Sequence, residues 1–432
     1  MGEGLVNRHI TRSIVISIII FTANYYPAIA IEIDRLIPVE DYTPSSECGQ
    51  CHRQVYSEWR GSIHNSSHLD IIYQADLGRM VKAEGVAAKR ICVACHAPLA
   101  ALAGLDGYAE EKSLPLEARL GIGCDFCHTI DGNFKDGGIV YDFFPGETKY
   151  GPSQNLSDAP HPVKYSAFQN SSEYCALCHD TDHILAGENY GGTYTQWKYS
   201  KYNRVDSVTT CQDCHMSFDL ISSGPRADSI EHSNHYFTAA NTAYPGLIGT
   251  PVHNSIAVES LRRAANIKVA GIKEIGSGEE YIFWVTVHNK GAGHLLPTGL
   301  PGLRQIWLSI RILDSNTREL LYSNGEVDSL GVVDTASCFI GADYVDANGE
   351  VTDKVWEAAG VINDNRIPPG ETSRFKYSYK IPEDYKGEMV IFAMLNYRSA
   401  KQDFINEIFN ETPDDMAVVQ MDYYIHKGIK VR

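Results

Sequence analysis

Five stretches of this sequence set two cysteines and a histidine at one spacing. They are CGQCH (Cys48, Cys51, His52), CVACH (Cys92, Cys95, His96), CDFCH (Cys124, Cys127, His128), CALCH (Cys175, Cys178, His179) and CQDCH (Cys211, Cys214, His215). Two residues between the thiols let one short turn present both sulfurs to the same edge of a porphyrin, where each adds across a vinyl group. The histidine that follows then lies beneath the ring and reaches the iron from the proximal side. A redox dithiol, half of a zinc site or a disulfide would use the cysteine pair, but none gives a reason for histidine to follow every pair. Ten of the eleven cysteines are used in this way. The motifs therefore predict five covalently bound haem c groups. The remaining cysteine, Cys338, reads as a buried structural thiol.

Each iron has a second axial position, and what fills it separates an electron carrier from an enzyme. Ten histidines lie outside the motifs after residue 30, enough for every site to be bis-histidine. Two of them, His64 and His68, follow the first motif closely. Met216 follows His215 directly and cannot reach the opposite face of that iron. If every site is filled on both faces the chain carries electrons. A single open face would instead suit a reductase or oxidase of small nitrogen or sulfur compounds.

The elements that must position these residues fall into two regions. The start of the chain reads as a secretory signal peptide over residues 1–30: Arg8 and Arg12 precede the apolar run Ile14 to Phe21, and Ala28-Ile29-Ala30 resembles a cleavage site. Residues 31–250 hold the five motifs among loops rich in Gly, Pro, Asp and Asn, such as DGNFKDGG, with one helical stretch expected over residues 76–96. At roughly forty residues per motif such a region cannot bury a normal apolar core, so the haems are expected to be the core. Residues 256–432 hold no motif. EEYIFWVTVHNK, RQIWLSIRILD, RELLYSN, SRFKYSYKIP and EMVIFAMLNYRS read as strands, following a short helix in SIAVESLRRAANIKVAGI. The expected fold is a haem-cored pentahaem domain of short helices and irregular chain, followed by an all-β, sandwich-like domain.

The net charge is −17. That argues against a nucleic-acid partner and fits either an exported, soluble protein or one that docks a basic surface. Four Asn-x-Ser/Thr sequons, at Asn65, Asn155, Asn170 and Asn410, permit glycosylation.

The long phrases around the motifs carry a resemblance. CGQCHRQVYSEWRGSIH, CVACHAPLA, IGCDFCHTI, HPVKYSAFQNSSEYCALCHD, TYTQWKYSKY, CQDCHMS, HSNHYFTAAN and NKGAGHLLPTGLPGLRQIWLSIRI resemble multihaem cytochromes of the c-554 kind, in the version with a C-terminal β-domain. The resemblance implies an electron-transfer protein rather than an enzyme. It nominates His64, within the pattern of Trp59, Ser62 and His64, as a distal ligand of a second site, since His52 holds its own, with His68, one helical turn later, as another such ligand or a neighbour; it also nominates His161, His235 and His294 as distal ligands, with His232 next and His183 and His253 behind. Relatives include extracellular cytochromes that polymerise into conductive filaments, although this chain has five motifs where known tetrahaem filament subunits have four. The implied partners are redox proteins or extracellular electron acceptors, with a homopolymer as an extension in which His64 or His68 completes a site in the next subunit. The implied location is extracellular or at the cell surface, with a periplasmic-type space as the alternative.

Overall fold

The computed structural model describes residues 36–108, 110–135, 138–154, 159–180, 192–217, 233–242, 250–409 and 417–432. The expected signal peptide, His183, His232 and the sequons at Asn155 and Asn410 lie outside these residues.

Each motif sits on or at the end of a short helix: Ser45–Cys51, Arg90–His96, Cys124–His128, Ser172–His179 and Cys211–His215. A helical turn brings positions i and i+3 onto one face, so the two-residue spacer puts both thiols of a motif on the same side. The longest helix of this region is Ile71–Glu84. Asp70 caps its start, its carboxylate accepting from the Ile72 and Tyr73 N–H groups at 2.9 and 3.0 Å. Gly85 ends it at φ 86°, a conformation that favours glycine. The helix expected over residues 76–96 is thus two helices, separated by Gly85 and the 3-10 turn Val86–Lys89. DGNFKDGG, read above as loop, lies in an antiparallel hairpin that pairs Ile130 with Phe143 and Lys135 with Gly138. Asp131 and Gly132 lie within its first strand and Gly138 begins the second, so they do not interrupt the pairing.

The second region begins with the helix Pro251–Ala264, which runs directly into the strand Ala265–Gly271. The expected boundary at residue 256 falls inside this helix. Its first turn belongs to the motif region, through a 2.7 Å hydrogen bond from His253 Nε2 to the Glu58 carbonyl. Leu261, further along, packs into the β core. All five strand stretches form strands. A sixth, Val419–Val431, was not singled out from the sequence, and it is the longest.

Two sheets result. One orders Leu320–Asn324, Gln305–Asp314, Gly387–Arg398, Val419–Val431 and Glu274–Ile275, with Phe339–Ile340 paired to one end of the second of these. The other orders Thr372–Lys380, Glu280–Asn289 and Ala265–Gly271. Alternate residues Tyr281, Phe283, Val285 and Val287 face Ile306, Leu308, Ile310 and Ile312 in one apolar core, which is the sandwich arrangement. Leu308 is fully buried there. Leu308→Ala should cost about 2–5 kcal/mol of β-region stability, read by chemical denaturation. A loss under about 1 kcal/mol would mean that this core does not carry the region.

The regions are joined by specific contacts. Arg79, on the helix Ile71–Glu84, makes ion pairs with Asp353 (2.8 Å) and Glu407 (3.1 Å), and its guanidinium lies over the rings of Trp356 and Phe404.

Candidate haem-binding core

The motif helices converge. All ten motif cysteines and all five motif histidines line one continuous cavity of about 2270 Å³. Left dry, a void of that size would cost on the order of 50 kcal/mol at roughly 24 cal/mol per Å³, several times the stability of a domain. The fold is built around something large.

Ring geometry says what that is. Two imidazoles binding one metal from opposite sides, each through a bond of about 2 Å, have ring centres roughly 6 Å apart. Four pairs in this structure have that separation, and each joins one motif histidine to one histidine from elsewhere. They are His52 with His161 at 6.3 Å, His179 with His64 at 6.2 Å, His128 with His235 at 6.3 Å, and His215 with His294 at 6.5 Å.

The imidazoles are also held for ligation. His96 and His128 donate from Nδ1 to the carbonyls of Ser67 and Tyr150, both at 2.8 Å. His215, His294, His161 and His235 do the same to Thr238, Leu295, Pro162 and Ser233. That fixes the tautomer and leaves Nε2 with its lone pair free to bind a metal. Burial, reinforced by neighbouring histidines, pushes His64 down to about 3 and His179 to about 4. His294 is pushed down to about 4, mainly by burial. All three are thus neutral, the ligating form, at neutral pH. The residues fit haem.

Contacts between motifs set an order for sites 1 to 5, numbered by motif along the chain. The sulfurs of Cys48 and Cys124, of Cys95 and Cys178, and of Cys175 and Cys211 lie close enough to interact. Site 1 therefore adjoins site 3, site 2 adjoins site 4, and site 4 adjoins site 5. Sites 3 and 4 meet where Tyr174 Oη donates to the Cys127 carbonyl at 2.8 Å. The result is a line 1–3–4–5 with site 2 branching from site 4.

A serine device recurs along this line. Ser45 Oγ accepts the Cys124 N–H at 3.1 Å, and Ser172 Oγ accepts the Cys211 N–H at 3.0 Å. Both serines stand three residues before the first cysteine of a motif, in SSECGQCH and SEYCALCH. That S-x-x-C-x-x-C-H signal was legible but not used above. Gln212, inside the fifth motif, adds bonds to the carbonyls of Gln169 and Ser171.

Site 2 differs. Among the described residues no histidine ring faces His96 at the separation of the other four pairs. Instead Tyr73 stacks on His96, with ring centres 3.9 Å apart and planes 5° from parallel. Tyr73, Asp76, Leu77 and Met80, from one face of the helix Ile71–Glu84, line the cavity. Asp76 is pushed up to about 6 by burial, against the opposite pull of Arg79.

His68 is fully buried, bonded from Nε2 to Tyr108 Oη at 2.9 Å, and is not among the residues that line the cavity. His64 is matched to His179 of its own chain. Neither is therefore placed to complete a site in a neighbouring subunit, contrary to the expectation above.

The family described as Cytochrome c554 and c-prime matches residues 47–129, which hold the first three motifs. No curated protein matches the chain by sequence. Among solved structures, a penta-heme cytochrome c552 from Thermochromatium tepidum is similar at 18% identity with a TM-score of 0.62, covering 90% of this chain and 99% of that one. A share that large takes in both regions of the fold. The CARDB domain of a Pyrococcus furiosus protein (11% identity, 39% of this chain and 87% of that one) has a TM-score of 0.18. A putative superoxide reductase from Thermotoga maritima (9% identity, 40% and 89%) reaches 0.19. Neither score bears on function. What the convergent motifs are built to hold decides the matter, and with the shared fold it makes the chain a multihaem c-type cytochrome whose five haems are bound covalently.

Proposed function

We propose that this cytochrome is an exported electron carrier that conducts along the line of sites 1–3–4–5. The four imidazole pairs carry the reading. His52 with His161, His128 with His235, His179 with His64 and His215 with His294 would hold the haems of sites 1, 3, 4 and 5, with the ten motif cysteines as the covalent attachments. When bound, the haems would supply one-electron carriers, and a histidine on each side would leave no place for a substrate. The chain's own part is to keep the imidazoles neutral and oriented and to hold neighbouring sites in contact. His294 comes from the β-region, so that region contributes a ligand as well as a scaffold. Redox proteins or extracellular electron acceptors are the proposed partners. Stacking of subunits into a filament is the extended form of the same reading, and negative-stain microscopy of the secreted protein decides it.

Replacing His64 with Ala tests the assignment. The variant should keep five haems by mass, gain a high-spin signal from one of them and shift that site's potential. A spectrum that stays wholly low-spin with unmoved potentials would remove His64 from the ligand set.

A second reading applies to site 2. Tyr73 beside His96, the absence among the described residues of a histidine facing it, and a protonatable Asp76 support an open coordination position there, suited to a small nitrogen or sulfur compound.

A further inference from the structure

The line of sites ends at two exposed edges. Cys51 at site 1 and Cys214 at site 5 are exposed, whereas the other eight motif cysteines are half-buried. Beside Cys214 stands a two-stranded hairpin that pairs Asn203 with Val208 and Arg204 with Ser207. Val205 at its tip is 99% exposed, Tyr199 just before it 82% and Val208 48%. Apolar side chains grouped in this way mark a contact surface, where single ones would not.

Cations interleave with them. Lys198, Lys201 and Arg204 are exposed, and none makes an ion pair among the described residues. The segment contains only two acids, Asp206 and Asp213, so it is locally basic on a chain of net charge −17. The hairpin is anchored rather than loose. Trp197 Nε1 donates to the Thr209 carbonyl at 2.8 Å, and the Thr209 N–H donates to the Tyr202 carbonyl at 2.9 Å. On its inner side, Tyr202 lines the same cavity as Cys214 and lies against Gly293, the residue before His294. At the opposite end of the line, Cys51 stands between exposed Glu47 and Arg53, which balance in charge.

We propose that the hairpin, with Tyr199 and the three cations, is the docking surface for an acidic one-electron redox protein and holds the partner's cofactor edge against the Cys214 end of the line. This rests on the reading of site 5 as a terminus. Exchange moves one electron: one protein's cofactor is oxidised by one and the other's reduced by one, with no bond made or broken. Local charge decides the partner's sign, because more distant charges are screened beyond about 8–10 Å. Three apolar side chains fall short of the ~800 Å² per partner of a stable interface. That suits a transient encounter steered by charge better than a permanent contact with a second copy.

The test uses the five-haem protein with an acidic plant-type ferredoxin as probe, and reads binding by calorimetry at low and high ionic strength. Weak, salt-sensitive binding is expected. The Lys198→Ser/Lys201→Ser/Arg204→Ser variant should weaken it about tenfold or more, and so should Val205→Asp. Both variants should keep the wild-type haem spectrum and be reduced by a small uncharged photoreductant at the wild-type rate. Wild-type affinity in both variants, or no ferredoxin binding by the wild type, would overturn the proposal. So would self-association in sedimentation that the variants abolish while ferredoxin binding is unchanged, which would give the patch to a second copy. Binding is read without electron transfer, so a failure of the conduction reading would show separately, as haems that the photoreductant does not reduce.

Discussion

The double substitution Cys175→Ser/Cys178→Ser is expected to yield a protein one haem short whose two ends no longer communicate. Site 4 is the junction: its sulfurs lie beside Cys95 of site 2 and Cys211 of site 5, and Tyr174 beside it donates to the Cys127 carbonyl of site 3. Loss of the group at this site leaves sites 2 and 5 each cut off from the 1–3 pair. It also opens an unfilled space in the interior of the motif region, so thermal stability should fall sharply, by more than the about 2–5 kcal/mol of a single large-to-small core change. The matched change at the exposed end, Cys48→Ser/Cys51→Ser, should also remove one haem but leave sites 2 to 5 connected. Intact mass gives the haem count, and photoreduction followed in time gives the connectivity. If the two double variants reduced with the same single phase as the wild type, the order 1–3–4–5 would be wrong.

Carbon monoxide added to the reduced wild-type protein should bind at one site per chain, and that site should be site 2. The other four motif histidines have a partner imidazole at 6.2–6.5 Å, while His96 has Tyr73 stacked on it instead. The oxidised protein should accordingly show one high-spin centre beside four low-spin ones. Cys92→Ser/Cys95→Ser should abolish both the high-spin signal and the carbon monoxide adduct, and His64→Ala should add a second of each. A wild-type protein that is low-spin at all five sites and inert to carbon monoxide would place a sixth ligand on site 2 and end the reductase reading.

The motif chemistry was legible because covalent attachment is local. Two thiols and an imidazole must meet one porphyrin within a single helical turn, so the pattern survives in the one-dimensional string. The β-region was legible for a similar reason: alternation in EEYIFWVTVHNK becomes the alternate burial of Tyr281, Phe283, Val285 and Val287. The strand Val419–Val431 was harder to see, because Gly428 at φ 76° and breaks in register with Gly387–Arg398 interrupt its alternation. The hairpin at Ile130–Phe143 was hidden by weighing its Gly and Asp as breakers, although Asp131 and Gly132 lie within its first strand.

Distal ligation is not local. His161, His235 and His294 lie far along the chain from the histidines they face, and only packing brings them there. His68 shows the limit of spacing arguments. It stands four residues after His64, as a helical neighbour would, yet the chain from Gly61 to Leu69 runs in turns rather than helix. His68 is directed into protein, to Tyr108, while His64 faces His179. By itself, then, the sequence determined the cofactor, its number and the split into a haem-cored and a β region, since each of these follows from contacts within a few residues. Tertiary structure alone decided which imidazole faces which, that among the described residues His96 has Tyr73 stacked beside it and no imidazole facing it, and that the sites run 1–3–4–5, because those depend on distances between segments that spacing along the chain does not constrain.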